Sequence, residues 1–211
     1  MAALEDVLEV YPRPLDPAHP VICRDETSQQ LVGEIRLPLP AEPGQGQRED
    51  DEYERRGVAN VFLFCEPLTG WREFQVTERR TRTDWALAMR ELSDRHYLTA
   101  ERITVVLDNL NTHGPASFYE AFAPHEARRL AERFEFHYTP QHGSWLNMAE
   151  IEFSVLSRQC LDRRIGDAET LQREIQAWKQ QRNRARRSVD WQFTTTDART
   201  KLKRLYPIIQ T

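Results

Sequence analysis

Residues 103–113 read Ile-Thr-Val-Val-Leu-Asp-Asn-Leu-Asn-Thr-His, a β-branched apolar run that stops at an aspartate. Five consecutive residues of this kind, Ile103–Leu107, predict a strand covered on both faces, as in the parallel part of an α/β sheet. Asp108 then stands at the strand's end. A carboxylate in that position must be hydrogen-bonded, paired or metal-bound, because an isolated buried charge costs several kcal/mol. Val21-Ile22-Cys23 is a second strand-like run that also ends among acids, at Arg24-Asp25-Glu26. Between the two, Asp84–Tyr97 has a helical period, with Trp85, Leu87, Ala88, Leu92 and Tyr97 behind a cap at Thr83. A helix there lets the two strands lie parallel and side by side, and Asp25 and Asp108 then meet at one edge of the sheet.

The rest of the chain fits an α/β protein with a mixed sheet flanked by helices. Pro12, Pro14, Pro17 and Pro20 predict an extended lead-in over residues 1–19. Leu31–Leu37 reads as an antiparallel return of the first strand. Residues 38–57, with Pro, Gly and the acidic run Glu49–Glu52, read as a surface loop. Val58–Glu66 and Trp71–Thr77 form a hairpin around Pro67–Gly70. Ser117–Arg133 reads as helix, Phe134–Tyr138 as strand, Thr139–Trp145 as a polar loop and Leu146–Cys160 as helix. A further helix from about Asp167 carries Leu171, Ile175 and Trp178 on one face and Arg182, Arg184, Arg186 and Arg187 at its end. These elements divide into the lead-in, a catalytic-sized domain over 20–160 and a basic helical extension over 161–211.

The chain has 211 residues, 39% hydrophobic and 29% charged, which is the composition of a globular protein and excludes disordered and fibrous classes. Its longest apolar stretch, Val61–Cys65, is far shorter than the roughly 18 residues of a membrane span. Met1–Val10 carries Glu5, Asp6 and Glu9 without a basic or continuous apolar region, so no secretory signal is read and a cytoplasmic protein is expected. Cys23, Cys65 and Cys160 lack metal-site spacing and are expected to be buried reduced thiols. The net charge of −4 hides an uneven distribution. Arg158–Leu205 holds 13 Lys/Arg against 6 Asp/Glu, whereas the remainder holds 16 against 27. A basic C-terminal third on an acidic body can follow phosphates locally, although a solvated helix face has the same composition.

Oxygen-only ligands such as Asp25 and Asp108 suit Mg or Mn ions. Two such ions about 3.5–4 Å apart can activate a water and stabilise the leaving 3'-oxygen in an in-line phosphodiester displacement. A third acid is expected from the helix after the last strand. Glu150 and Glu152 are both available, about 200° apart on a helical wheel, so only one can meet the aspartates. The wheel puts Glu152 among Met148, Ala149, Val155, Leu156 and Cys160, and Glu150 near the edge of that face.

Three blocks carry a resemblance: R-D-E-T at Arg24–Thr27, V-V-L-D-N-L-N-T-H at Val105–His113, and W-L-N-M-A-E-I-E-F-S-V-L at Trp145–Leu156. Together, and in this order, they resemble the DDE endonuclease domain of bacterial insertion-sequence transposases related to the Tc/mariner group. The similarity extends from about Pro20 to Pro207, including W-Q-F-T-T-T-D-A-R-T-K-L-K-R-L-Y-P at Trp191–Pro207. It implies a ribonuclease H-like fold, two divalent cations (Mg or Mn), and Asp25 and Asp108 as the first two metal ligands and catalytic acids. The family's Asn-Pro-Ile-Glu matches Asn147–Glu150 and selects Glu150 as the third, with Glu152 as the alternative that the wheel favours. Met148 in place of proline and Arg24 in place of an apolar residue depart from the pattern.

Asn109, His113 and His142 are expected in supporting roles, orienting Asp108 or touching a phosphate; a capped turn after the strand explains Asn109 and His113 equally well. Arg182, Arg184, Arg186 and Arg187 are candidates for DNA-backbone contacts. The expected substrate is double-stranded DNA, as transposon ends and target, with strand cleavage and strand transfer as the reaction. Alternatives are a ribonuclease H-like nuclease and a decayed transposase that binds DNA without cutting. Only about 20 residues precede the first strand, too few for a helix-turn-helix module. The expectation is therefore a catalytic half with a separately encoded helix-turn-helix partner, forming a homodimer when two ends are brought together.

Overall fold

Ile103–Leu107 is buried at every position in the computed structural model of the chain, which describes residues 1–35, 42–45 and 52–206. The described elements are a helix α1 (Ala2–Val10), strands β1 (Val21–Glu34), β2 (Tyr53–Glu66) and β3 (Trp71–Thr77), helix α2 (Arg82–Glu91) and strand β4 (Ile103–Leu107). Helices α3 (Pro115–Ala121) and α4 (Pro124–Arg133), strand β5 (Phe134–Tyr138) and helices α5 (Met148–Leu156), α6 (Ala168–Arg184) and α7 (Thr195–Lys201) follow. The five strands form one mixed sheet in the order β3-β2-β1-β4-β5. β1, β2 and β3 are an antiparallel meander, whereas β4 runs parallel to β1 and β5 parallel to β4.

The register places the acids. Cys23 lies opposite Val106, so two residues further on Asp25 comes level with Asp108. Side chains alternate between faces, and Cys23, Leu63, Phe74 and Val106 join one core cluster with α1, α5, α6 and α7. Ile22, Phe64, Val105 and Leu107 join the other, beneath α2, α3 and α4. A slip of one residue would send every buried side chain of β1 to the wrong face, so burial of both faces fixes the register firmly. The same constraint keeps Asp25 and Asp108 on the α5 side and Arg24 on the α2 side.

Several elements differ from the sequence expectations. Residues 1–19 are not an extended lead-in, because Leu4, Val7 and Leu8 recur at helical spacing and are buried as one face of α1; the prolines begin only at Pro12. Leu31 does not start a return strand. β1 runs on to Glu34 because Arg24–Val32 contains no Gly or Pro to turn it, and its partner is β2, which starts at Tyr53 inside the expected loop 38–57. Leu37 and most of that loop lie outside the described residues. α2 is capped by Thr81, not Thr83, through a capping box with Asp84, and a π-type turn, Leu92–His96, ends it. Ser117–Arg133 is two helices, since Pro124 cannot continue the first but is well placed to begin the second.

Candidate active site

Asp25 is 8% exposed and sits inside β1, beyond the point where β4 pairs with it. Its Oδ1 accepts the backbone N–H of Glu26 at 2.8 Å. Its Oδ2 faces the side-chain amide of Asn147, whose Nδ2 donates to the Arg24 carbonyl at 2.9 Å and lies 3.4 Å from the carboxylate. Asn147 is also the N-cap of α5: its Oδ1 accepts the N–H of Ala149 at 3.2 Å. One buried amide thus fixes the first turn of α5 over Asp25, and Glu150 is the acid of that turn. Asn before an apolar helix was a readable N-cap signal, but its second contact, 122 residues away, was not.

Asp108 follows the last residue of β4, with 30% of its side chain exposed. Its Oδ1 accepts a short hydrogen bond from Nδ1 of the buried His113. Nε2 of His113 lies 2.7 Å from Nη1 of Arg24 and 3.1 Å from Oε2 of Glu26, and its ring stacks on Trp85. Burial opposes a charge on His113, but the carboxylates of Asp108 and Glu26 outweigh it and hold its pKa above the ordinary value. His113 is thus hydrogen-bonded to Asp108, and Arg24 and Glu26, which the sequence did not single out as its partners, belong to the same network.

Asp25 feels its surroundings strongly. Burial, and then the negative charges of Glu150 and Asp108, push its pKa up to about 7 against the opposing N–H of Glu26 and charge of Arg24. Among the described residues no three His, Cys, Asp or Glu side chains stand close enough to share an ion as they are. The donor set still fits a hard divalent cation, since it is all oxygen, and a positive charge beside Asp25 would offset the cost that burial and the neighbouring acids put on its ionisation. Asp25, Asp108 and Glu150 are the residues that could hold it.

Glu152 is placed elsewhere. It is 1% exposed and forks onto two arginines: Arg72 at 2.5 and 2.7 Å and Arg182 at 2.7 and 2.9 Å. Burial raises its pKa, but these two guanidiniums more than reverse the shift and hold it below the ordinary value. The wheel was right that Glu152 is buried, and what buries it is an ion-pair cluster between α5, β3 and α6. Arg182 is consequently engaged inside the protein, also over the Trp178 ring at 5.4 Å, while Arg184, Arg186 and Arg187 are exposed.

Asn109 is exposed and lines, with Asp108, Leu110, Pro140 and His142, a cleft of about 380 Å³. His142 is exposed and in the left-handed backbone region, with φ 61°. Trp145 is 47% exposed and stacks on Trp191, which in turn packs on Tyr11. A larger groove of about 520 Å³ between β3 and α2 touches none of the three acids. No helix among the described residues is long and apolar enough to cross a membrane.

Residues 20–172 match the model of a protein family described as DDE superfamily endonuclease. The chain belongs to this family. Its fold is that of the Mos1 mariner transposase: it matches the Mos1 strand transfer complex with a TM-score of 0.59 and 14% identity, over 85% of this chain and 52% of that one. The Mos1 mariner paired end complex with Mn matches at a TM-score of 0.57 and 14% identity, over 88% and 57%. The corresponding complex with Mg matches at 0.51 and 15%, over 84% and 52%. The mixed five-stranded sheet with helices on both faces is thus ribonuclease H-like, as the sequence resemblance implied. The chain spans just over half the length of these transposase chains. No match is found among curated proteins.

Proposed function

We propose that this DDE endonuclease domain is the catalytic part of a transposase that cleaves DNA strands and joins them to a target by in-line phosphodiester displacement. Asp25, Asp108 and Glu150 are its metal ligands and catalytic acids. The observation that carries this is the placement of Asn147: its amide lies 3.4 Å from the Asp25 carboxylate and caps α5, whose first turn carries Glu150, while the β1–β4 register brings Asp25 level with Asp108. When bound, two divalent cations, Mg or Mn, would activate the attacking oxygen and stabilise the leaving 3'-oxygen.

The chain's own residues do the positioning. Asn147 and the Glu26 N–H hold the two oxygens of Asp25, and Asn147 also sets the first turn of α5, which brings Glu150 to the aspartates. His113 takes one oxygen of Asp108, and Asp108 lines the cleft together with Asn109 and His142. Arg184, Arg186 and Arg187 supply positive charge for the DNA backbone; Arg182 does not, because Glu152 occupies it. Residues 20–160 are assigned as the catalytic unit and 161–211 as an extension, whose α6 lies along β3. Recognition of transposon ends is assigned to a helix-turn-helix partner, synapsis to a homodimer, and the place of action to the bacterial cytoplasm and nucleoid.

The test is cleavage of a labelled DNA duplex with Mg or Mn by the wild-type chain and by Asp108→Ala, with the upstream reading frame's product added where one is found. Metal-dependent nicking and joining that vanish in the variant support the proposal. Nicking without joining reduces it to a hydrolytic nuclease, and folded protein that binds DNA but never cuts identifies a decayed element.

A further inference from the structure

Arg24 is an unexpected residue on the α2 face of β1. Its neighbours on that face, Ile22 and Phe64, belong to an apolar cluster, yet the guanidinium is fully buried over the Phe62 ring at 4.9 Å. Its Nε and Nη2 find no hydrogen-bond partner among the described residues. An apolar side chain would fill the same space without the cost of a buried charge. What an apolar side chain could not do is reach Glu26 and His113, the two contacts that Nη1 makes.

We propose that Arg24, paired with Glu26, is a positioning residue that acts through His113 to hold Asp108 in the orientation in which its Oδ2 alone is presented to a divalent cation. His113 Nδ1 donates to Asp108 Oδ1, which leaves Nε2 to accept the Arg24 Nη1–H at 2.7 Å. Glu26 is ion-paired with the same Nη1 and its Oε2 lies 3.1 Å from Nε2, so it holds the guanidinium against the ring. Trp85, stacked at 5.9 Å with an interplanar angle of 20°, closes the remaining side. These contacts oppose rotation of the ring and of the carboxylate it holds. This is the arrangement by which outer groups orient metal ligands elsewhere, built here from a buried ion pair.

The inference rests on the reading of Asp108 as a metal ligand, so that reading is measured first: Mn binding by the full chain, followed by the electron paramagnetic resonance signal of free Mn, in wild type and Asp108→Ala. Equal binding in the two, or none in either, overturns the metal site itself. With the site established, the decisive variant is Arg24→Met with Glu26→Leu, which leaves net charge unchanged and removes both partners of Nε2. Its Mn affinity is expected to fall about 10- to 100-fold, the usual effect of losing an orienting group. Affinity within twofold of wild type overturns the proposal, since the charge near the site has not changed. Should the paired variant fail to fold, His113→Gln and His113→Phe decide. Gln keeps one donor and one acceptor and is expected to stay within about threefold of wild type, whereas Phe keeps only the stacking and is expected to lose the same 10- to 100-fold. Equal affinities for Gln and Phe overturn the proposal.

Discussion

Replacing Glu152 with Gln separates the acid that holds α5 in place from the acid assigned to the metal. Glu152 accepts four N–H contacts of 2.5–2.9 Å from Arg72 and Arg182, and Arg72 is 2% exposed. Arg72 also donates to the Gly70 and Arg187 carbonyls, so the cluster ties α5 and the end of α6 to the β2–β3 turn. Removing one partner from a buried ion pair leaves uncompensated charge and costs about 3–5 kcal/mol, a large share of the roughly 5–15 kcal/mol that stabilises a domain. With a urea m-value of about 2–3 kcal/mol/M, the midpoint of unfolding should drop by about 1–2.5 M. Glu150→Gln, on an exposed first-turn residue, should move it by no more than the equivalent of ~1 kcal/mol, yet abolish Mn binding and cleavage. The pH dependence has a definite sign. The folded pKa of Glu152 is lowered from 4.5, so its stabilisation is fully present above that value and disappears as pH falls through the lower folded value. The gap between wild type and Glu152→Gln should therefore close in acid. Equal urea midpoints for wild type and Glu152→Gln at neutral pH, or equal losses in the two glutamate variants, would refute the division of roles.

Asp25 gives the opposite pH dependence. Its folded pKa is raised from 3.8 to about 7, so folding is penalised progressively as pH rises across that window; Asp25→Asn should abolish the decline, and urea melts at pH 5 and 8 without divalent ions would reveal a failure. Asn147→Ala removes the cap of α5 and the amide on Asp25 together, and should cost about 1–2 kcal/mol in a denaturation experiment while weakening Mn binding. Gly70→Ala is expected to cost about 1–3 kcal/mol in the same melts, because Gly70 has φ 70° and an added Cβ would lie 2.7 Å from the Arg186 backbone. Replacing Arg184, Arg186 and Arg187 with Ala should weaken DNA binding without regard to sequence and flatten its dependence on log salt by about one unit per arginine; an unchanged slope removes them from the DNA contact.

What the sequence made legible, and what it hid, divides by the range of the interaction that decides each feature. Ile103–Leu107 announced a doubly buried strand because its own five residues carry the signal, and Asp108 followed from where that signal stops. α1 was equally local, with Leu4, Val7 and Leu8 at helical spacing, but the prolines from Pro12 onward dominated the reading of residues that precede them. Buried charge is a different matter. The wheel identified Glu152 as buried, but its partners lie 80 and 30 residues away in sequence, and without them a buried acid looks like a metal ligand. Arg24 stood out as a departure, and the histidine it contacts lies 89 residues away. Periodicity reports which face a side chain occupies, whereas the function of an ion depends on which opposite charge the topology delivers to it. In this chain the two glutamates of α5, two residues apart, receive different answers: β3 and α6 bring arginines to Glu152, whereas Glu150 stands exposed in the first turn that Asn147 caps beside Asp25.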